Sequence, residues 1–368
     1  MPRVTTSNDD DDNGLVDCEC CGDTTDESDI TRYEGERLCP NCFENRTNED
    51  DESNEDDESN ERCEYINDHD YKPTALFHND NGKASRSQAI LNSFPRMYVG
   101  IEVETESTNG ASLGSNAEYV VDNTDGLIYI KQDGSINHGF EMVSHPMTLS
   151  YAQNHLDGLW RSFAHLRKNG FRAWQTSTCG LHIHISRNAF LNDKHQQKFL
   201  YFVYGPASET IKKFAGRDSH WSKFDKDSFV GYTYYRDENG NDQYVVPSLM
   251  EVVKGITKSG ASVSSQANER YLAVNRNNRH TLELRFFRPS LRPDTVLACI
   301  EFTYCLWAYT EQVTANQALK YGALTDFEQF AIYARANRAT YPKLVAHLAY
   351  RKVSADPDEP QPVLLGEE

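Results

Sequence analysis

The chain has no apolar run near the ~18 residues that would span a bilayer, so no membrane-spanning helix is expected. Its first residues are polar and acidic, so no secretory leader is expected either. Both common glycine-rich phosphate loops, GxxxxGK[ST] and GxGxxG, are missing. A bound nucleotide would therefore have to be held by side chains and metals. Basic residues are scarce where acids are dense. Residues 1–70 hold 25 Asp and Glu against 5 Lys and Arg, a net charge of −20 in a chain whose total is −19. The rest carries 31 acids and 32 bases, so it has no charge bias toward nucleic acid or membrane.

Nine cysteines are present, an odd number, and five fall in the first 42 residues. Without a leader, this usage points to a reducing, cytoplasmic setting with some thiols on a metal. Cys18, Cys21, Cys39 and Cys42 form two CxxC knuckles separated by 17 residues, the arrangement of a four-thiolate zinc site. Disulfides are the alternative. So short a module has little core, and zinc would supply most of its folding energy. Gly22 and the stretch YEGERL suit a small β-hairpin. Its bases are few (Arg32, Arg37 and Arg46), which favours a protein partner or a purely structural role over nucleic acid.

The organisation follows from composition. Residues 1–14 read as a disordered acidic lead and 15–44 as the zinc-binding module. Residues 45–90, with EDDESN in tandem, read as an acidic linker too poor in large apolar residues to order itself. Residues 91–354 form the main domain and 355–368 a disordered tail. Within the domain, strands follow one another without room for crossover helices. The expected class is α+β with a largely antiparallel sheet and flanking helices. Helices are expected from Ser150 to Gly170, from about 193 to 215 with a break at Gly205-Pro206, and after an Asp294 cap. Residues 217–250 read as an aromatic loop.

Three stretches alternate with a period of two. In YVGIEVETE, Val99, Ile101 and Val103 oppose Glu102, Glu104 and Glu106. In GLHIHIS, Leu181, Ile183 and Ile185 oppose His182, His184 and Ser186. In TLELRFF, Leu282, Leu284 and Phe286 oppose Glu283 and Arg285. An ordinary antiparallel sheet with one wet face alternates in the same way. Its wet face, however, is usually Thr, Lys, Ser and Gln. Paired carboxylates suit a hard cation such as magnesium, and an arginine fork suits a phosphate or carboxylate oxyanion. Lys131, Asp133 and Ser135, then Glu141, and Asn275, Arg276 and Arg279 lie close in sequence to these strands. Cys179, ahead of GLHIH, reads as packing rather than as a nucleophile.

GIEVETE, DGSINHGFEMVSHP, CGLHIHIS and RYLAVNRNNRHTLELRFF occur in an order and spacing that resemble the amidoligases, relatives of glutamine synthetase and glutamate–cysteine ligase, over about residues 95–310. The resemblance implies a curved antiparallel sheet around nucleotide and metal. It also implies an ATP- and magnesium-dependent ligase joining a small-molecule or peptide carboxylate to an amine through an acyl phosphate. By position it implies Glu102, Glu104, Glu141, His182 and Glu283 as metal ligands. Arg285 would lie on the transferring phosphoryl group, and Lys131, Arg270, Asn275 and Arg276 on phosphate or substrate. His182, Glu283 and Arg285 would then be the catalytic set. His184 has a less defined role and Glu106 none. Two other readings fit the same residues: a metal-dependent hydrolase using the Glu and His face without ATP, and a non-catalytic binding or scaffold protein.

Overall fold

The computed structural model describes residues 64–80, 97–174, 176–217, 219–224 and 271–353, with shorter pieces at 15–17, 24–26, 30–33, 36–38, 40, 82, 84–85, 233–236, 238–240, 242–245, 249 and 262–263. The chain divides into two compact units, Met1–Arg62 and Cys63–Glu368. In the first, Leu15–Asp17 pairs antiparallel with Thr24–Asp26, and Thr31–Tyr33 with Glu36–Leu38. These ladders flank the CxxC knuckles in sequence. Cys18, Cys21, Cys39 and Cys42 lie outside the described residues.

The second unit is α+β around an eight-stranded sheet. Its strands are β1 (Ile66–Asn67), β2 (Val99–Ser107), β3 (Ile128–Lys131), β4 (Gly139–Ser144), β5 (Phe171–Arg172), β6 (Leu181–Ser186), β7 (Val274–Asn275) and β8 (Thr281–Phe287). The order is β7-β8-β6-β2-β4-β3-β1, with β5 also on β2. Every pair is antiparallel except β1 with β3. The alternating stretches β2, β6 and β8 are thus immediate neighbours. Their apolar sets, Val99, Ile101 and Val103, Leu181, Ile183 and Ile185, and Leu282, Leu284 and Phe286, are all buried in one core.

Helices cover the apolar face. They are α1 (Leu113–Asn123), α2 (Leu149–Asn154), α3 (Asp157–Lys168), α4 (Asp193–Tyr204), α5 (Ser208–Ala215), α6 (Pro293–Gln312), α7 (Ala315–Tyr321), α8 (Phe327–Ala336) and α9 (Pro342–Tyr350). Pro293 opens α6 at its first position, where a missing N–H costs nothing. The helix is buried on most of its circumference because it packs between β6 and helices α2, α4, α8 and α9. Buried inside it, Glu301 accepts the Leu344 N–H at 2.8 Å and the Gln153 amide at 2.8 Å. It thereby caps the first turn of α9, whose own N-cap residue, Tyr341, makes no side-chain cap.

Three expectations change. Residues 64–80, assigned above to the linker, belong to the main unit. Ile66–Asn67 is a sheet strand, the Tyr98 hydroxyl donates to Asn79 at 2.5 Å, and the Leu76 N–H donates to His145 at 3.3 Å. Acidic composition masked a short segment that gains its order from a sheet edge. The helix expected from Ser150 is two helices, capped by Thr148 and broken at His155–Leu156. Within 217–250, Thr233–Arg236 and Asp242–Val245 form an antiparallel ladder.

Candidate active site

Strand register builds the site. His182 pairs with Glu102, and His184 lies between Gly100 and Glu283. Glu104 pairs with Glu141, Glu141 with Lys131, and Glu283 with Asn275. Alternation sends all of these side chains to the face opposite the core. They line a cavity of about 1070 Å³ together with Asp133, Arg217 and Arg285.

The groups are close. His182 Nδ1 lies 3.1 Å from Glu102 Oε2, 3.5 Å from Glu283 Oε1 and 3.8 Å from Glu104 Oε1. His184 Nε2 lies 3.0 Å from Glu102 Oε1, and its Nδ1 meets the Thr281 hydroxyl at 2.9 Å. Asn275 and Asn278 donate to Glu283 Oε2 at 2.7 and 3.0 Å, and Arg285 pairs with Glu283 Oε1. Lys131 stands 3.4 Å from Glu141. Arg217 donates to the Arg285 carbonyl at 3.2 Å. Asp133 accepts the Ser135 N–H and hydroxyl, so DGS makes a turn that also presents a carboxylate to the cavity.

Electrostatics divides the acids into two kinds. Burial raises both Glu104 and Glu141. His182 only partly offsets it at Glu104, while at Glu141 repulsion from Glu102 adds to it despite Lys131. Burial acts on Glu102 in the same sense, but His184 and His182 outweigh it and hold the carboxyl well below its usual range. Glu283 is likewise lowered against its burial, chiefly by His184. His184 is raised, because Glu102 more than offsets its burial.

Three sets of side chains each offer ligand atoms within 4.8 Å of one another: Glu102, Glu141 and His182; Glu102, His184 and Glu283; Glu104, Asp133 and Glu141. The sets share Glu102 and Glu141. Carboxylate-rich sets such as these would suit hard cations. Neighbouring acids with raised proton affinity have the electrostatics of a site that gains from added positive charge. The backbone leaves room at one further point. A Cβ on Gly180 would meet His182 Nε2 at 2.5 Å, Arg217 Nη1 at 2.6 Å and Glu104 Oε2 at 3.2 Å. A side chain there would push these groups from their present positions, and glycine leaves them room to converge.

The sequence-derived set is largely gathered here: Glu102, Glu104, Glu141, His182, Glu283, Arg285, Lys131 and Asn275 all line the cavity. Arg276 does not. It is 1% exposed and follows Asn275, so alternation turns it away from the cavity that Asn275 faces. Arg270 lies outside the described residues. Glu106 accepts from the Thr178 hydroxyl and from the Asn137 N–H at 3.3 Å, outside the cavity lining. Burial, followed by Glu106, raises the Cys179 thiol, which opposes thiolate chemistry there. Sequence reading missed Arg217. It comes one residue after Gly216, the left-handed C-cap of α5, and belongs to no alternating run; the only available signal was a cation just beyond a helix stop.

Among the described residues no helix is long and apolar enough to cross a membrane. No family model matches the chain, and no curated protein matches it. Among solved structures it is similar to the crystal structure of the complex between the prokaryotic ubiquitin-like protein Pup and its ligase PafA. The TM-score is 0.26 and the identity 10%, over 70% of this chain and 62% of that one. The chain therefore spans less than two thirds of the structure it matches.

Proposed function

We propose that the protein is an ATP-dependent carboxylate–amine ligase working through an acyl phosphate. The observation that carries the reading is the joint presence, on one sheet face, of acids clustered to hold cations and arginines placed beside them. Glu102, Glu104, Glu141 and Glu283 share a cavity with Arg285 and Arg217. The order of the four sequence motifs supports the same class. Magnesium held by the carboxylates would offset charge on the triphosphate and its developing transition state.

The remaining work falls to this chain's own groups. Glu283, tied by Asn275 and Asn278, fixes the Arg285 guanidinium toward the cavity, where it would hold a phosphoryl oxygen. Arg217 and Lys131 would bind the remaining anionic oxygens, those of the substrate carboxylate included. His182 is held by Glu102 and so positions the acidic row. A substrate carboxylate oxygen attacks the γ-phosphorus as the bond to ADP breaks. The amine nitrogen then attacks the acyl carbon, phosphate leaves with the C–O bond electrons, and the amine gives up a proton.

The test is ADP and phosphate release from ATP and magnesium, screened against amino acids, polyamines and peptides, with Glu102→Gln/Glu104→Gln alongside. Amine-dependent turnover that the double variant loses is the expected result. Metal-replete protein that binds no ATP overturns the reading. One observation favours a second reading. Glu102, His184 and Glu283 form a mixed carboxylate–imidazole set, which suits zinc or manganese and a metal-dependent hydrolase. Substrate cleavage without nucleotide would select it. The zinc module and any partner it recruits, like the cytoplasmic setting, belong to the same proposal.

A further inference from the structure

A second cavity, of about 480 Å³, has the opposite chemistry. Arg167, Arg172, Arg288, Arg292 and Arg351 line it, and no carboxylate does. Among the described residues none of the five forms an ion pair. Arg167 donates to the Leu291 carbonyl, and Arg351 donates to the Lys213 carbonyl at 2.9 and 2.6 Å. Trp174 forms an apolar wall. It is 45% exposed, and the Arg288 guanidinium stacks over its ring at 4.4 Å. Burial, then the Arg351 charge, pushes Arg288 down from its usual value.

A helix end adds to this field. Arg292 and Thr295 in the lining belong to the start of α6, a 20-residue helix whose N-cap, Arg292, makes no side-chain cap, and Ser290 lies just ahead of it. The positive end of its dipole therefore opens toward the arginines. Asp294, on the same first turn, pairs with Lys343 at 2.6 Å and does not line the cavity. Five like charges around one volume repel, and an anion relieves that repulsion.

We propose that this cavity is a binding site for a compact oxyanion, of the phosphate or polycarboxylate class, distinct from the acidic cavity. Its volume suits a small ligand. Beyond residue 70 the chain is near neutral, 31 acids against 32 bases, so it has no overall charge bias toward nucleic acid. Without a carboxylate to hold a cation, the site takes its anion free of metal, unlike a magnesium nucleotide. It would accept a regulatory ligand or the charged end of a substrate. Arginine forks give bidentate contacts, and Trp174 holds the Arg288 guanidinium by stacking.

The test is calorimetric titration of the full chain with pyrophosphate and, separately, with citrate, in excess EDTA. We expect saturable binding of at least one. Arg172→Ala and Arg288→Ala should each weaken it about tenfold, the scale of one lost charged hydrogen bond. Glu102→Gln should leave it unchanged. The tighter probe identifies the class, phosphate or polycarboxylate. Absence of binding by both probes overturns the proposal, as does binding that survives Arg172→Ala/Arg288→Ala or that requires magnesium. Because the titration uses neither ATP nor turnover, it stands or falls separately from the ligase reading.

Discussion

Two buried acids show what burial alone does and does not signify. Glu301 is fully buried in α6 and Glu104 is 4% exposed on β2. Burial raises the proton affinity of both. Glu301 has its donors: the Leu344 N–H, the Gln153 amide and the N-terminal field of α9. Among the described residues the Glu104 carboxylate accepts no hydrogen bond, and His182 Nδ1 stands 3.8 Å from it. The fold closes its accounts around the first acid and leaves the second unmatched beside Glu141 and Asp133. An acid satisfied by donors is architecture. An acid buried among other acids is waiting for charge from outside the chain.

The comparison breaks most sharply through activity. Glu104→Gln should lower the proposed ligase turnover about 10³-fold, the scale of losing one electrostatic element of a preorganised site, without lowering the melting temperature of metal-free protein. A melting temperature that falls with activity would make Glu104 architectural too. Gly180→Ala should follow with a drop of about 10²-fold, because its methyl would displace His182 and Arg217 while leaving the core untouched. Unchanged turnover in that variant would show that their convergence is not used. Glu301→Ala should do the reverse. It strands the first turn of α9 and should cost about 1–3 kcal/mol in denaturant unfolding, while the folded fraction keeps its turnover. Glu301→Gln, which keeps an acceptor, should recover part of that loss.

Much of the acidic cavity was legible because its strands alternate. Glu102, Glu104, His182, His184, Glu283 and Arg285 lie on β2, β6 and β8, and a period of two assigns every side chain to a face once the strand is recognised. Strand adjacency turned that pattern into a cavity, and it was readable only as a condition: the three faces agree if the strands share a sheet. Arg276 failed by the same rule that placed Asn275, since a one-residue offset reverses the face. Residues 64–80 were illegible because a two-residue strand has no period, and their order comes from β3 and His145 rather than from local propensity. Helix α1 had no apolar stripe strong enough to announce it; Ser112 accepts the Ser115 N–H at 3.4 Å and starts a helix that only packing against α3 and β3 secures. The arginine cavity was invisible for a different reason. Its five cations come from the ends of five separate elements, so no window of sequence contains the site.

The smallest expected effect concerns pH, and it sharpens the comparison between the two kinds of acid. Glu104 and Glu141 are raised in the folded state above the ordinary carboxylate value of 4.5. Between that value and their raised ones the folded chain holds more protons than the unfolded chain, so their contribution to stability falls as pH rises. The full penalty is present once pH exceeds the raised values. Histidines buried in neutral form, such as His78 and His195, both lowered to about 4, work in the opposite sense. The melting curve of the wild type alone therefore mixes the two. The difference between metal-free wild type and Glu104→Gln/Glu141→Gln cancels the histidines. The variant should be the more stable at neutral pH, and its advantage should shrink as pH falls toward 4.5, where the wild-type acids take up protons unaided. Saturating magnesium should reverse the order, because the wild type then gains ligand binding that the variant lacks. An advantage that is flat with pH would mean that the acids are already matched within the fold, as Glu301 is.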